Sequence, residues 1–159
     1  MRKYIWTILL CITALGCNSC DPDRKTSSAP DPDMAATSAI KFVKESFIDL
    51  NQPGAYSLLS AGMQRKLTED QFIDLVARMH PKAFPRVLTA TEYETLPRQD
   101  MANIFLYGEN GDKKFYYRLT MVDASYGNYK VAALFRIAEQ PASPSRKPLP
   151  IKRSTADLR

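Results

Sequence analysis

The apolar residues of this chain change their spacing once, near Phe84, and that switch limits the fold more than any other feature of the sequence. Upstream, Ile40, Val43, Phe47 and Leu50 recur at intervals of three and four, the stripe of an amphipathic helix, with Lys41, Lys44, Glu45 and Asp49 off it. Asp33 suits the N-cap of this helix, and Asn51-Gln52-Pro53-Gly54 breaks it. Pro53 fits the first turn of a short second helix through Ser60 that buries Tyr56 and Leu59, with Gly62 closing it. Thr68 and Gln71 have the spacing of a capping box, and Phe72, Leu75, Val76 and Met79 follow at helical intervals until Pro81.

Downstream of Phe84 the period is two. Val87, Thr89, Thr91, Tyr93 and Thr95 alternate with Leu88, Ala90, Glu92 and Glu94 as far as Pro97, and Met101 to Tyr107 makes a second extended run. After the turn Gly108-Glu109-Asn110-Gly111, the residues Phe115, Tyr117, Leu119 and Met121 alternate with Tyr116, Arg118 and Thr120. After Tyr126-Gly127-Asn128, the residues Val131, Ala133, Phe135 and Ile137 alternate with Lys130, Ala132, Leu134 and Arg136. Connections this short force neighbouring strands to run antiparallel. The expectation for residues 34–140 is therefore an α+β domain, N-terminal helices packed on one face of a curved four-stranded antiparallel meander.

The stretches FIDLNQPGAYSLLS, LTEDQF and YGNYKVAALFRI are similar to the first two helices, the start of the third helix and the closing strand of the nuclear transport factor two-like superfamily. The resemblance extends over residues 35–138 and points to small bacterial lipoprotein branches. It implies a cone-like sheet whose mouth can hold a small apolar ligand. Superfamily members that are isomerases or dehydratases use an Asp base with Tyr or His partners. Here Asp123 is in phase with Phe115, Tyr117, Leu119 and Met121, and with Tyr117 it is the candidate catalytic pair; Tyr93, Asn103 and Tyr117 are the candidate ligand-binding residues. Against catalysis, Asp123 also opens the turn Asp-Ala-Ser-Tyr-Gly-Asn, where Asp commonly bonds its own backbone. His80, the sole histidine, ends the third helix, where a cation or donor caps the last carbonyls. Tyr107, Tyr116, Tyr117, Tyr126 and Tyr129 lie near hairpin ends, as strand residues or as an aromatic protein-binding surface.

All three cysteines, Cys11, Cys17 and Cys20, fall in the first twenty residues. Arg2 and Lys3 precede an uncharged run from Tyr4 to Leu15. As a helix that run covers about 18 Å, short of the ~30 Å hydrocarbon core of a bilayer, so it reads as an export signal. Its end, Ala14-Leu15-Gly16-Cys17, resembles the lipobox of bacterial lipoproteins. Residues 1–16 are then a signal peptide and Cys17 the lipid attachment site, with Cys20 after Ser19 as the alternative. Residues 17–33 are polar and Pro-rich, a flexible tether. Residues 141–159 form a Pro-rich basic tail, to contact anionic lipid or a partner, or only to keep the terminus soluble.

The formal charge of +5 is misleading, because residues 18–140 hold 15 Lys and Arg against 16 Asp and Glu. Such a body gives nucleic acid little to bind. One histidine and no cysteine beyond residue 20 cannot assemble a usual zinc site, Asp21 stands where a haem motif needs histidine, and no cofactor is expected. The sequence thus predicts a lipid-anchored, non-catalytic module of the bacterial cell envelope with its domain in the periplasm. Its partner would be an envelope protein or a small apolar ligand, in a secretion, conjugation or immunity system; the alternative is a small isomerase-like enzyme. Inner against outer membrane turns on the cleavage site, since Asn18 follows Cys17 and the acidic Asp21 follows Cys20.

Overall fold

In the computed structural model, which describes residues 29–97, 100–137 and 143–158, the first helix begins ahead of the expected boundary at residue 34. The expected signal peptide, Cys17 and Cys20 lie outside the described residues. Pro30 is buried, and Asp31, not Asp33, caps helix α1 (Pro32–Val43) by accepting from the backbone of Asp33 and Met34. The reason is Pro32, whose fixed φ suits the first helical position and moves the cap to the residue before it. The Asp31 N–H also donates to the Tyr129 hydroxyl at 2.7 Å, fastening the helix start to a distant strand.

After Val43 the helix widens into one π turn (Lys44–Ile48). Asp49 and Asn51 donate to the carbonyls of Lys44 and Glu45 at 2.9 and 2.8 Å, five and six residues back. The wider turn rotates the residues beyond it, so Ile40, Val43 and Phe47 are buried as expected while Leu50 is 53% exposed. Phe42 is buried too, because α1 has neighbours on two sides: the sheet, and Phe72 of helix α4 (Glu69–Met79) with ring centroids 6.1 Å apart. The expected second helix is two short ones, α2 (Gln52–Ser57) capped by Asn51 and α3 (Ala61–Gln64) capped by Ser60. Between them Leu58 to Ser60 is drawn out to bridge Val131, and Gly62 lies inside α3 instead of closing a helix. The capping box at Thr68 and Gln71 opens α4 as the sequence predicts.

Five strands come next: β1 (Val87–Thr95), β2 (Met101–Asn110), β3 (Lys113–Asp123), β4 (Tyr129–Ile137) and β5 (Lys147–Ser154). They form one antiparallel sheet of order β4-β3-β2-β1-β5, with the helices on one face. The α+β fold is as expected, but the meander gains a fifth strand from the segment read as a basic tail. Pro148 and Pro150 hid it. Proline is tolerated on an edge strand, which needs donors on one side only, and β5 is an edge. Leu149 drives the docking by entering the core cluster, and Leu88 N–H donates to Thr155 Oγ1 at 3.0 Å just past the strand.

Two bulges decide which side chains face the helices. Between Ala90 and Glu92 the pairing shifts, so Leu88 and Ala90 face the core before it and Tyr93 after it. In β4, Met121 pairs with Val131 but Thr120 with Ala133, leaving Ala132 unpaired. Tyr129 and Val131 are therefore core-facing, as are Leu134 and Arg136 beyond the bulge, while Ala133, Phe135 and Ile137 face the other way.

Leu50 sits at φ 54° just past the π turn, a left-handed conformation in which a Cβ costs of order 1 kcal/mol. Because its side chain is exposed, Leu50→Gly is expected to raise stability by about 0.5–1 kcal/mol in chemical denaturation, the relief exceeding the added unfolded-chain entropy. A loss of stability instead would show that the Leu50 side chain contributes packing that its exposure does not reveal.

Candidate functional site

His80 ends α4 and is only 5% exposed. Its Nδ1 lies 3.1 Å from the Val76 carbonyl, which can only accept, so Nδ1 carries the proton. Nε2, 2.6 Å from the Tyr117 hydroxyl, is then the acceptor and the phenol donates. The expected helix cap is present, made by a neutral donor. Phe84 stacks on the imidazole at 4.5 Å, Phe47 stands at 4.6 Å and Phe115 at 6.3 Å. Burial in this aromatic cage lowers the His80 pKa; the Val76 bond opposes the shift and the Arg136 charge adds to it. Burial raises Tyr117 far above the ordinary phenol value. Both groups hold fixed protonation states near neutral pH, so the pair is a structural bond and not a proton relay.

The residues named for a pocket are not brought together. Tyr117 is core-facing at the His80 end of β3, whereas Asp123 is six residues along the same strand, about 20 Å away. Asp123 behaves as a turn residue: Oδ1 accepts from Ser125 N–H at 3.1 Å, and both oxygens from Gly127 N–H at 2.9 and 3.0 Å. Gly127 has φ 85°, and a Cβ there would meet the Met34 side chain at 2.4 Å, so that turn is fixed by glycine as well. Asn103 lies on the face away from the helices, and Tyr93 is half-buried on the helix face. The tyrosines separate likewise. Tyr107 and Tyr116 meet at a tilt, ring centroids 5.3 Å apart, on the outer face, Tyr117 and Tyr129 are buried, and Tyr126 is exposed at the opposite end.

Asn103 belongs to an outer-face network. Thr120 Oγ1 donates to Asn103 Oδ1 at 2.8 Å, and Asn103 Nδ2 to Glu94 Oε2 at 3.0 Å. Ser145, in the segment leading from β4 to β5, donates to Glu94 Oε1. Those two bonds, with Arg146 and Arg118 nearby, hold the Glu94 carboxyl below its ordinary value. The Arg146 guanidinium lies 3.7 Å over Phe105, which is 1% exposed, and Arg118 lies 4.6 Å over Phe135. The outer face is thus partly roofed by the segment that crosses it.

A concave feature lies at the end of the sheet where α4 stops. Two adjoining cavities of about 220 and 450 Å³ share Pro81, Lys114 and Arg136. Lys82 and Lys113 line the first and Arg78 the second, with Ala83 and Phe115 as apolar floor. Arg136 donates to the Met79 carbonyl and lies 5.1 Å over Phe115. None of these cations stands out in the sequence, because they come from α4, a loop and two strands, and the near-zero charge of the body conceals their convergence. Among the described residues no group of three or more His, Cys, Asp and Glu is placed to hold a metal ion. No protein-family model, curated protein or solved structure matches this chain.

Tyr117→Phe leaves His80 Nε2 buried without a donor and is expected to cost about 1–3 kcal/mol. Because the folded-state pKa of His80 is lowered, its contribution is fully present above the unfolded value of 6.5 and is lost as pH falls through that value toward the folded one. Stability should decline by up to about 1.4 kcal/mol per pH unit just below 6.5, and the decline should vanish in His80→Gln. A flat profile in the parent protein would refute the neutral buried imidazole.

Proposed function

We propose that this chain is a lipid-anchored binding module of the bacterial cell envelope, attached through Cys17 and carrying its α+β domain in the periplasm. The observation behind the reading is the sequence Ala14-Leu15-Gly16-Cys17, closing an uncharged run that begins after Arg2 and Lys3. Domain geometry is consistent with it. Among the described residues Pro30 and Asp31 are the first fastened to the body, and the 13 residues 18–30 can span at most about 43 Å between Cys17 and that point. No helix among the described residues is long and apolar enough to cross a membrane. Two or three acyl chains hold a protein on a bilayer stably where one does not.

Binding is favoured over catalysis because the polar atoms of the candidate acid-base pair are already engaged. Both Asp123 oxygens accept from the turn backbone, and the Tyr117 hydroxyl donates to His80. The isomerase-like alternative draws no support from this arrangement.

Protein purified from membranes is expected to begin at Cys17, to carry the mass of its acyl groups and, having lost Trp6, to show no tryptophan fluorescence. Cys17→Ser should block processing and Cys20→Ser should leave it unchanged; the reverse dependence would move the lipid to Cys20. A mature chain that starts at Met1 without added mass would end the proposal.

A further inference from the structure

The basic cleft at the end of α4 is built rather than incidental. Its walls are fastened to one another: Asn110 Nδ2 donates to the Phe84 carbonyl at 2.8 Å, Arg86 N–H donates to the Glu109 carbonyl at 2.9 Å, and Arg136 donates to the Met79 carbonyl. Arg136 is further held against Phe115, and the Met79 bond takes one of its five N–H donors. Around it stand Arg78, Lys82, Lys113 and Lys114, and no described carboxylate lines either cavity. Among the described residues none of these five cations has a carboxylate at ion-pair distance. Among the described acids, Asp112 adjoins Lys113 in the hairpin turn, Asp74 precedes Arg78 by four residues in α4, and Glu109 stands opposite Lys114 in the ladder and accepts from the Tyr107 hydroxyl. Exposed like charges gathered around one cleft repel one another, and an anion lying between them relieves that repulsion. A single carboxylate has too few oxygens to serve so many donors, whereas a phosphate group has enough.

We propose that this cleft binds a phosphate group, with Arg136 as the fixed donor and Lys82, Lys113, Lys114 and Arg78 as the surrounding cations. The apolar floor of Pro81, Ala83 and Phe115 seats the organic body that carries the phosphate. The assignment rests on reading the domain as a binding module and does not depend on the anchor. The same chemistry is offered by a free or small-molecule phosphate and by the headgroup of an anionic phospholipid.

The sole histidine supplies a local probe, since His80 sits behind Arg136 and Phe115 and gives one set of imidazole signals. The purified full chain, in nonionic detergent if acylated and in buffer if not, is titrated with inorganic phosphate while the His80 ring is followed by NMR. It is then placed with nanodiscs of phosphatidylcholine with or without phosphatidylglycerol. The expected result is a saturable shift with phosphate that an equal concentration of chloride does not give. Affinity should fall with added salt and be about tenfold weaker in Lys82→Gln/Lys114→Gln at an unchanged melting temperature. A shift with phosphatidylglycerol discs assigns the headgroup as the source, and a shift with phosphate alone assigns a soluble phosphate. No saturable shift with either probe overturns the site. So does an equal loss in Lys41→Gln/Lys66→Gln, whose cations lie outside the cleft. Neither result bears on the mass of the mature chain, so failure here and failure of the anchor are told apart.

Discussion

The hydrogen bond from Tyr117 to His80 is the joint on which this domain turns. It ties the residue that caps the C-terminus of α4 to strand β3, inside a cage of Phe47, Phe84 and Phe115. An imidazole at a helix end satisfies two needs at once: one nitrogen completes the terminal Val76 carbonyl and the other absorbs the only polar atom of a fully buried tyrosine side chain. Without the phenol, a desolvated nitrogen would remain. Without the histidine, a hydroxyl and a carbonyl would. Because both are satisfied, α4 stops at a fixed place and the loop from Pro81 to Arg86 leaves it in a fixed direction, to be clamped by Asn110 and Glu109 at the end of the sheet.

The two faces of the sheet are stabilised by different physics. On the helix side, small residues bring α1 close to the strands, with Ala35, Ala36 and Ala39 fully buried, and aromatic rings fill the remaining space. On the outer side no helix is present among the described residues. Phe105 is covered instead by a guanidinium, and a chain of hydroxyl, amide and carboxylate links β3, β2 and β1 to the segment arriving from β4. Glu94 sits at the junction of that chain with its carboxyl held in the charged form, and Arg146 adds a 3.6 Å contact to Glu92. The polar face thereby fastens β5, an edge strand whose prolines donate nothing to the ladder.

Features decided locally were legible in the sequence. The Thr68 capping box, the helical stripe of α4 and the existence of four strands need only neighbours a few residues away, and each is present, although the alternation of β1 and of β4 is interrupted by a bulge. Features decided at a distance were not. Leu50 leaves the α1 stripe because one wide turn comes after Val43; β5 forms because Leu149 finds a core that the tail composition does not announce; Asn103 and Tyr117 occupy opposite faces of adjacent strands although both fit a pocket by type. Asp123 was readable either way, and its turn chemistry prevails because two backbone N–H groups lie within reach and no substrate is needed to satisfy it.

The basic cleft shows why such a site escapes a reading of composition. Its fixed cation, Arg136, would point away from the helices if β4 kept strict alternation from Val131, for then odd-numbered residues would stay on the core side throughout. The unpaired Ala132 reverses that parity, sends Phe135 outward beneath Arg118 and turns Arg136 toward Met79 and Phe115. One residue inserted without a partner therefore exchanges a buried aromatic for a guanidinium at the end of α4. Arg136 is exposed there, so its charge stays in water while its side chain lies over the Phe115 ring. The unpaired position in β4 thereby sets on which side of the sheet a positive charge joins the four other cations that line the cleft.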